Sequence, residues 1–400
     1  MKDLKVVFLH NDFKLYWKGR LYYLRNFLAN RGISMNVIEI FGQGLAYSFD
    51  KVTNTENWWE CLFPYEPFNE LEVSKVRQRI LKRLDELNPD CIISGGIAFT
   101  SGAIGLQWVK HHRKKILFFD DIKHSISKRN IFIKFIKRTL TVQADAYLIP
   151  SHDYDVEYLN WGIDRSKLYY GLSCVNNHYY ANKKKSSSKS IKLIICVARL
   201  VPIKNIDGLL RAWEKVELKF PNYHLIIVGD GPEYPSLKIL AEELKLFSVK
   251  FLGVMTSRNI AKIFSECDAF ILPSFSESWG MVLNEAMASG LPIISSNRIN
   301  AAIALLVEGE NGYLFDPYNV DEITTTLLKH IESSSKKKIE MSQSAKKSIR
   351  KYSYKFFASE VFRALSDSTN RPIKEPNPLI KIGINYWNGK FITDGWDSIK

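Results

Sequence analysis

Short apolar runs alternate with helical stretches along the chain, and this pattern predicts two successive series of strands and helices. In the first half, stretches such as Leu21–Arg31 and Val73–Leu87 have helical spacing. The apolar runs between such stretches are Leu4–Leu9, Met35–Phe41, Cys91–Ser94, Lys115–Phe119, Ala146–Pro150 and Lys167–Tyr170. Because these runs are continuously apolar, they predict parallel strands that are covered on both faces.

The same pattern restarts in the second half of the chain. Its apolar runs are Ile191–Val197, His224–Gly229, Val249–Gly253, Ala269–Pro273, Leu291–Ser295 and Gly312–Phe315. The helices predicted around them cover residues 207–220, 233–246, 257–266, 279–289 and 321–332. Two such series predict an α/β protein with two doubly wound, Rossmann-like domains. A length of 400 residues also favours two domains over one.

Polar runs mark the predicted domain boundaries. The stretch Asn182–Ser190, NKKKSSSKS, is polar and flexible, so we interpret it as the interdomain linker. The predicted order is a first domain at 1–182, a linker at 183–190, a second domain at 191–350, a helix at 351–370 and a tail at 371–400. Within the tail, the alternation around Asn388-Gly389 predicts a β-hairpin.

The charge balance indicates an anionic partner. The formal net charge is +14 with an isoelectric point near 9.3, which suits nucleic acid, an anionic membrane surface or phosphorylated ligands without choosing among them. The N-terminal apolar run meets Asp12 too soon for a signal peptide, and the five cysteines form no CxxC pairs. We therefore expect a cytoplasmic protein with reduced cysteines.

Two cations follow the first strand of the second half. Arg199 and Lys204 lie between the strand Ile191–Val197 and the helix that begins near Asp207. Ligands of open parallel sheets bind at the carboxyl ends of the strands, where an Arg fork and a Lys point charge suit a diphosphate. A surface ion pair is the alternative for these two residues.

Two carboxylates follow the strand Ala269–Pro273, in the stretch FSESWGMVLNEAM. Glu277 precedes a predicted helix and Glu285 lies about two turns into it, so they could grip the two ends of an elongated ligand. Gly280 permits close backbone approach, and the helix start offers N–H groups to a phosphate. The alternative is that Glu277 is a helix N-terminal charge and Glu285 a solvated helix residue.

Taken together, these stretches resemble the retaining glycosyltransferase family 4, a group of GT-B architecture. The resemblance rests on VARLVPIKNIDGLLRA, LIIVGDGPEYPSLKILAEEL, the segment from Val249 to Asn297, and GYLFDPYNVDEI. It implies two Rossmann-like domains that face each other across a cleft. It also implies that the terminal helix, here 351–370, crosses back onto the first domain. It also implies roles in binding a nucleotide sugar: Arg199 and Lys204 for the diphosphate, Glu285 for the ribose, Glu277 for the donor sugar, and the backbone of Gly280, Met281 and Val282 for sugar and phosphate.

The first half matches the family more loosely. The family brings a glycine-containing loop after its first strand towards the phosphates and acceptor, and here HNDFKLYWKGR offers only Gly19. The stretch DDIKHS follows the run Lys115–Phe119. The family often places a His near this point, close to the donor sugar, which makes His124 the candidate. A surface His is the alternative reading of His124. Asn176 stands where the family commonly has Asp.

The resemblance implies sugar transfer with retention of the anomeric configuration, from a donor that is most often UDP- or GDP-linked. It implies no metal and no further cofactor, since Arg199, Lys204 and the helix start would neutralise the leaving diphosphate. Asp120-Asp121 is the nearest match to a cation-binding pair, and it more simply ends a strand. The sequence does not specify the donor base, the sugar or the acceptor.

A basic segment in the first half suggests a membrane contact. Residues 110–138 hold ten Lys or Arg and two Asp, a net charge of +8. Within SKRNIFIKFIKRTL, apolar residues are interleaved with the candidate contacts Lys128, Arg129, Lys134, Lys137 and Arg138. A basic amphipathic helix can lie on an anionic membrane, and an ordinary amphipathic helix with a solvated face is the alternative.

These observations predict a hexosyltransferase-type glycosyltransferase that acts in polysaccharide or glycan biosynthesis, peripherally at the inner face of the membrane. Its expected partners are a nucleotide-sugar donor and a saccharide, or lipid-linked saccharide, acceptor, and no nucleic acid is expected. An epimerase or phosphorylase on the same architecture is a second enzyme reading. The alternative from another class is a non-catalytic module that binds anionic lipid or nucleic acid on a GT-B scaffold.

Overall fold

The computed structural model describes residues 3–13, 16–42, 56–121, 123, 131–181 and 190–391. They fall into two compact units, here called the first and second units. The first unit combines the chain up to Ser173 with the segment from Tyr354, and the second unit is Cys174–Ser353. Each unit holds one parallel sheet flanked by helices, which confirms the predicted pair of Rossmann-like folds.

In the first unit, the described residues form a seven-stranded parallel sheet. Its strands are β1 Lys5–His10, β2 Ser34–Phe41, β3 Trp59–Phe63, β4 Cys91–Gly95, β5 Lys115–Phe119, β6 Ala146–Leu148 and β7 Leu168–Tyr169. They lie in the order β3-β2-β1-β4-β5-β6-β7. The edge strand β3 was not predicted, because its short sequence WECLF carries a charged residue and follows no helix of clear periodicity.

In the second unit, a six-stranded parallel sheet runs in the order β10-β9-β8-β11-β12-β13. Its strands are β8 Lys192–Val197, β9 Tyr223–Val228, β10 Val249–Phe251, β11 Ala269–Leu272, β12 Ile293–Ser296 and β13 Gly312–Phe315. These strands coincide with the six predicted runs to within a few residues. Their side chains pack with buried helical residues such as Trp213 and Leu327, so the apolar pattern reflects a shared core.

The helices of both units are numbered in chain order. They are α1 Tyr16–Ala29, α2 Val73–Leu87, α3 Thr100–His112, α4 Ile131–Thr141, α5 Asp155–Leu159, α6 Asn177–Ala181, α7 Ile206–Lys219, α8 Tyr234–Glu243, α9 Ser257–Phe264, α10 Met281–Ala288, α11 Asn300–Leu305, α12 Val320–Glu332, α13 Ser335–Ile349, α14 Tyr354–Asn370 and α15 Pro378–Tyr386. No helix in the described ranges combines the length and apolarity that crossing a membrane requires.

Helix α14 packs within the first unit although it follows the second along the chain. The Tyr169 hydroxyl donates to Asp367 at 2.7 Å, and the Tyr170 amide donates to Glu360 at 3.1 Å. Apolar residues of α14, including Phe357 and Val361, are fully buried. The first unit is therefore completed by the C-terminal part of the chain.

The predicted hairpin in the tail is wrong, because the residues before Asn388-Gly389 form helix α15. Asn377 caps this helix by accepting the Ile380 amide at 2.9 Å, and Pro378 stands at its first position, where proline is favoured. These two signals outweigh the alternation of apolar residues. Gly389 instead has a φ of +66°, and a Cβ there would lie 2.5 Å from the Phe99 backbone, so glycine permits a close approach.

The unit boundary lies before the predicted linker, because helix α6 packs within the second unit. Asn177 donates through Nδ2 to the Ile349 carbonyl at 3.0 Å, and α6 also contacts α10. Most of the predicted linker at 183–190 lies outside the described residues, which resume at Ser190. The boundary therefore follows packing and not the polar run.

The start of α3 packs closely against the carboxyl end of β4. This contact predicts that alanine substitutions at two glycines of α3 change the stability of the first unit differently. A Cβ at Gly102 would lie 2.1 Å from the Gly95 carbonyl oxygen, whereas one at Gly105 would meet only side chains, at 3.3 Å or more. We expect Gly102→Ala to destabilise the first unit by about 2–3 kcal/mol through overpacking. Gly105→Ala should be neutral or slightly stabilising, since alanine favours helix.

Urea unfolding followed by circular dichroism measures both variants. Equal stability of the two variants would show that the contact between α3 and β4 has room for a methyl group at position 102.

Candidate functional site

The site predicted in the second unit lies where the direction of strand addition reverses. The chain builds outward from β8 to β10, then returns to place β11 on the other side of β8. In open α/β sheets the loops after two such strands diverge and leave a crevice at their carboxyl ends. Arg199 and Lys204 follow β8, and Glu277 follows β11, so the fold places all three at this position.

Lys204 and Glu277 form the central contact of the crevice. The Lys204 Nζ lies 2.6 Å from Oε1 of Glu277, and their side chains are only 12% and 15% exposed. The Ser274 hydroxyl donates to the same oxygen at 3.0 Å. The Phe275 amide also donates to the Ile203 carbonyl at 2.8 Å, which ties the two loops together. Glu277 is thus a fixed carboxylate whose charge is balanced by a Lys.

Glu285 is a buried carboxylate with a tyrosine donor. It is 4% exposed, on the second turn of α10, and the Tyr180 hydroxyl of α6 donates to its Oε1 at 2.6 Å. Tyr180 itself is 5% exposed. Burial of a carboxylate needs hydrogen bonds that satisfy it, and Tyr180 supplies one. The interpretation of Glu285 as a solvated helix residue is therefore wrong.

Helix α10 begins in a conformation that requires glycine. Gly280 has a φ of +99° and caps the helix, and a Cβ there would approach Ile299 at 2.9 Å. The backbone of Met281 and Val282 forms the first turn of α10, at the positive end of the helix dipole. Asn300 fixes the preceding turn by donating to the carbonyls of Glu277 at 3.1 Å and Ser278 at 2.9 Å.

The glycines of the GDGP turn support the Arg199 loop through backbone packing. A Cβ at Gly229 would lie 1.8 Å from the Ala198 carbonyl oxygen, and one at Gly231 would lie 2.3 Å from that of Leu200. The Leu200 amide donates to the Asp230 carbonyl at 2.9 Å. These contacts hold both neighbours of Arg199, a half-buried residue, in place beside the Lys204 loop.

The candidates of the first unit fare differently. Gly19 is wrong as a loop residue, because it lies inside α1, where a Cβ would meet the Tyr354 hydroxyl of α14 at 2.5 Å. Its small size serves helix packing. His124, Lys128 and Arg129 lie outside the described residues.

The remaining basic candidates lie on α4. Lys134 is exposed and Lys137 half-buried, and Arg138 donates through Nε to the Trp161 carbonyl at 3.1 Å. Arg138 therefore anchors α4 to the fold. The apolar residues Ile131, Phe132 and Phe135 of the same helix are 75%, 75% and 68% exposed.

Sequence reasoning missed two residues that shape the site in the second unit, and one buried histidine in the first unit. Tyr180 stands in GLSCVNNHYY, a stretch noted only for its place before the linker, and Asn300 lies 15 residues past Glu285. In the first unit, His10 ends β1, beside β4, where strand addition also reverses. Burial lowers the pKa of His10 to about 3, so the imidazole is neutral at physiological pH. Its ring lies among Phe13, Phe99 and Phe119.

Comparisons with known proteins cover the part of the chain that contains this site. The family model described as "Glycosyl transferases group 1" matches residues 181–348, which contain Arg199, Lys204, Glu277 and Glu285. An uncharacterized glycosyltransferase of Haemophilus influenzae is 32% identical over 157 residues, 39% of this chain and 44% of that protein. The alignment thus spans less than half of that relative.

A second relative and a solved structure extend over more of the chain. The alpha-monoglucosyldiacylglycerol synthase of Acholeplasma laidlawii is 24% identical over 331 residues, 74% of this chain and 81% of that protein. The structure of Anabaena Alr3699/HepE in complex with UDP is 17% identical, covers 91% of this chain and 100% of that chain, and has a TM-score of 0.70. The fold is therefore GT-B, and residues 181–348 match the glycosyl transferases group 1 family.

Proposed function

We propose that this protein transfers a sugar from a nucleoside diphosphate sugar to a saccharide acceptor, with retention of the anomeric configuration. One observation carries the proposal. The Lys204–Glu277 pair, the start of α10 and the buried Glu285 converge at the carboxyl ends of β8 and β11. A diphosphate needs cations and amide donors, and a sugar or ribose needs carboxylate acceptors, so this set suits a nucleotide sugar.

The diphosphate would be held by Lys204, Arg199 and the amides of Met281 and Val282. A lysine ammonium has three donors, and Glu277 engages one of them, which leaves donors for phosphate oxygens. The amides at the start of α10 add the positive end of the helix dipole. As the bond to the sugar breaks, charge builds on the leaving diphosphate, and these groups stabilise it without a metal ion.

Glu285 would bind the ribose. Met281 and Glu285 are four residues apart, so the carboxylate lies about 6 Å along α10 from the phosphate-binding amides. A carboxylate accepts from two hydroxyls at once, and the Tyr180 hydroxyl fixes its orientation before the ligand arrives. Glu277 would contact the donor sugar itself.

The resemblance to the family favours UDP or GDP as the nucleotide. The structure of Anabaena Alr3699/HepE was solved in complex with UDP. We propose a lipid-linked saccharide as acceptor, held by the first unit, in glycan assembly at the cytoplasmic face of a membrane. The exposed apolar residues of α4 and its lysines support peripheral attachment. The name of the Acholeplasma relative also refers to a glycolipid product.

The nucleotide proposal predicts a selective loss in a Lys204→Ala variant. We expect one nucleoside diphosphate among UDP, GDP and ADP to bind the wild type, and the variant to bind it roughly 10- to 100-fold more weakly, since a charge-assisted hydrogen bond is lost. Isothermal titration measures both proteins. Lys215→Ala is the matched control, because Lys215 forms only an exposed ion pair with Asp321 in the same unit.

Unchanged affinity in Lys204→Ala, or binding of no nucleotide at all, would contradict the proposal. In that event, binding of vesicles or RNA that survives Glu285→Ala would support the non-catalytic alternative. Once the nucleotide is identified, its sugar derivatives are tested as donors in the presence of EDTA. Transfer under these conditions tests metal independence, and NMR of the product's anomeric proton tests retention of configuration.

The ribose assignment predicts a second signature. Glu285→Gln should weaken nucleoside diphosphate binding roughly tenfold or more, while inorganic pyrophosphate binding stays within twofold, because only the ribose contact is changed. Tyr180→Phe should show the same selectivity at a smaller size, about threefold, since it removes the group that orients Glu285. Tyr179→Phe is the control, because Tyr179 is 41% exposed. Equal losses for nucleotide and pyrophosphate would refute the assignment.

The membrane proposal predicts a role for the apolar residues of α4. Phe135→Ser should reduce binding to vesicles that contain anionic lipid by roughly fivefold or more, because Phe135 would bury its ring in the interface. Leu218→Ser on α7, a residue that is 82% exposed in the second unit, should have no effect. Cosedimentation with vesicles measures this, and equal binding by both variants would exclude α4 as the contact.

A further inference from the structure

We propose that the first unit contains a second anion site, a cavity that takes the phosphate group of a phosphate ester. The cavity has a volume of about 440 Å³ and is lined by cationic side chains, among them Lys110, Lys167, Arg371 and Lys374. It is separate from the proposed transfer site and does not depend on that proposal.

The topology explains why charges gather here. Lys115 begins β5, Asp145 directly precedes β6, and Lys167 directly precedes β7. Because these strands are parallel and adjacent, the three side chains meet at the amino ends of the sheet. Lys110 lies in the last turn of α3, which returns the chain to the same edge. The proposed transfer site lies at the carboxyl ends of β8 and β11 in the second unit. The cavity lies at the amino ends of strands in the first unit, so it is a different surface.

The two acidic groups of the cavity are already engaged. Asp145 pairs with Lys115 at 3.1 Å, in side chains that are 14% and 8% exposed, and accepts the Ile116 amide at 3.0 Å. Asp164 accepts the Ser166 amide at 2.7 Å, as the cap of a short helical turn. Neither carboxylate forms an ion pair with the cations that line the cavity.

The lining cations, by contrast, keep donors available. In the part of the chain that the structure describes, the side chains of Lys110 and Lys374 form no hydrogen bond or ion pair. Lys167 donates to the Ala144 carbonyl at 2.8 Å, which leaves further donors on its ammonium. Arg371 is fixed by donating to the carbonyls of Asp145 at 3.1 Å and Ser166 at 2.6 Å.

The cations also lie in an environment that disfavours their charge. Burial lowers the pKa of Lys110 and of Lys167. Asp145 opposes this effect at both lysines and Glu375 opposes it at Lys110, whereas Lys115 lowers the pKa of Lys110 further and Lys374 lowers that of Lys167 further. A bound anion would relieve both effects. The cavity therefore has an excess of positive charge that an anionic ligand would balance.

The size and position of the cavity define the ligand class. A volume of about 440 Å³ exceeds a bare phosphate ion, so a phosphate ester with a polar substituent suits it better. Two of the residues that line the cavity lie close to helix ends: Val142 is one residue past the end of α4, and Lys374 is four residues before the start of α15. Both helices carry exposed apolar side chains, such as Phe135 on α4 and Leu379 on α15. The ester is therefore either a soluble phosphate or a phospholipid headgroup.

Isothermal titration with inorganic phosphate and with glycerol 3-phosphate tests the site. A Lys204→Ala background is used throughout, so that the proposed diphosphate site does not contribute to the signal. We expect glycerol 3-phosphate to bind more tightly than phosphate, and the pair of substitutions Lys110→Gln and Lys374→Gln to weaken both by at least roughly tenfold. Lys82→Gln, an exposed lysine on α2 of the same unit, is the control and should bind as the background protein does.

Neither replaced lysine side chain has a hydrogen bond in the described residues, so folding should survive, and circular dichroism checks this. No binding of either anion to the background protein at tens of millimolar, or equal binding by the double variant, overturns the proposal. A cosedimentation arm with vesicles that contain phosphatidic acid identifies the source. Vesicle binding that falls in the double variant and is displaced by glycerol 3-phosphate assigns a headgroup, whereas loss of soluble binding alone assigns a free ester.

Discussion

The parallel pairing of β8 with β11 is the constraint on which the site in the second unit depends. The two strands meet through the register Ala269 to Ile194 and Phe270 to Ile195, although more than seventy residues separate them along the chain. This pairing brings the loop of Lys204 against the loop of Glu277. Without it, the 2.6 Å contact between the two side chains could not form. The geometry of the site therefore depends on the pairing of these two strands.

The site's carboxylates are held in place by other side chains. Glu277 is fixed by Lys204 and Ser274, and Glu285 by Tyr180. Groups that are already oriented lose less conformational entropy when a ligand binds, which improves affinity without new contacts. Such order is stored in the fold of the second unit, since α6, α10 and the two loops all belong to it. The buried position of Glu285 is tolerable for the same reason, because its donor is part of the core.

The sequence was sufficient to predict every described strand except β3, and to place Arg199, Lys204 and Glu277 after β8 and β11, because both follow from local patterns. Continuous apolar runs mark buried parallel strands, and the polar residues after them must lie at one edge of the sheet. Tyr180 could not be found in this way, since its partner lies 105 residues away and the contact depends on how α6 packs. Gly19 was misassigned because glycine in a loop and glycine under a neighbouring aromatic look alike in sequence. The hairpin prediction for the tail was wrong because the cap Asn377 and Pro378 at the start of α15 outweigh the alternation of apolar residues.

The two units differ in how the chain builds them. Among the residues that the structure describes, the second unit is one uninterrupted stretch, Cys174–Ser353, and the segment that matches the family model, 181–348, lies within it. The first unit is assembled from both ends of the chain. During evolution, a single pair of crossovers can therefore exchange the second unit whole between genes, whereas the first unit would need two such events. The second unit can therefore spread between genes as one piece, whereas the first unit changes mainly by substitution within its own gene.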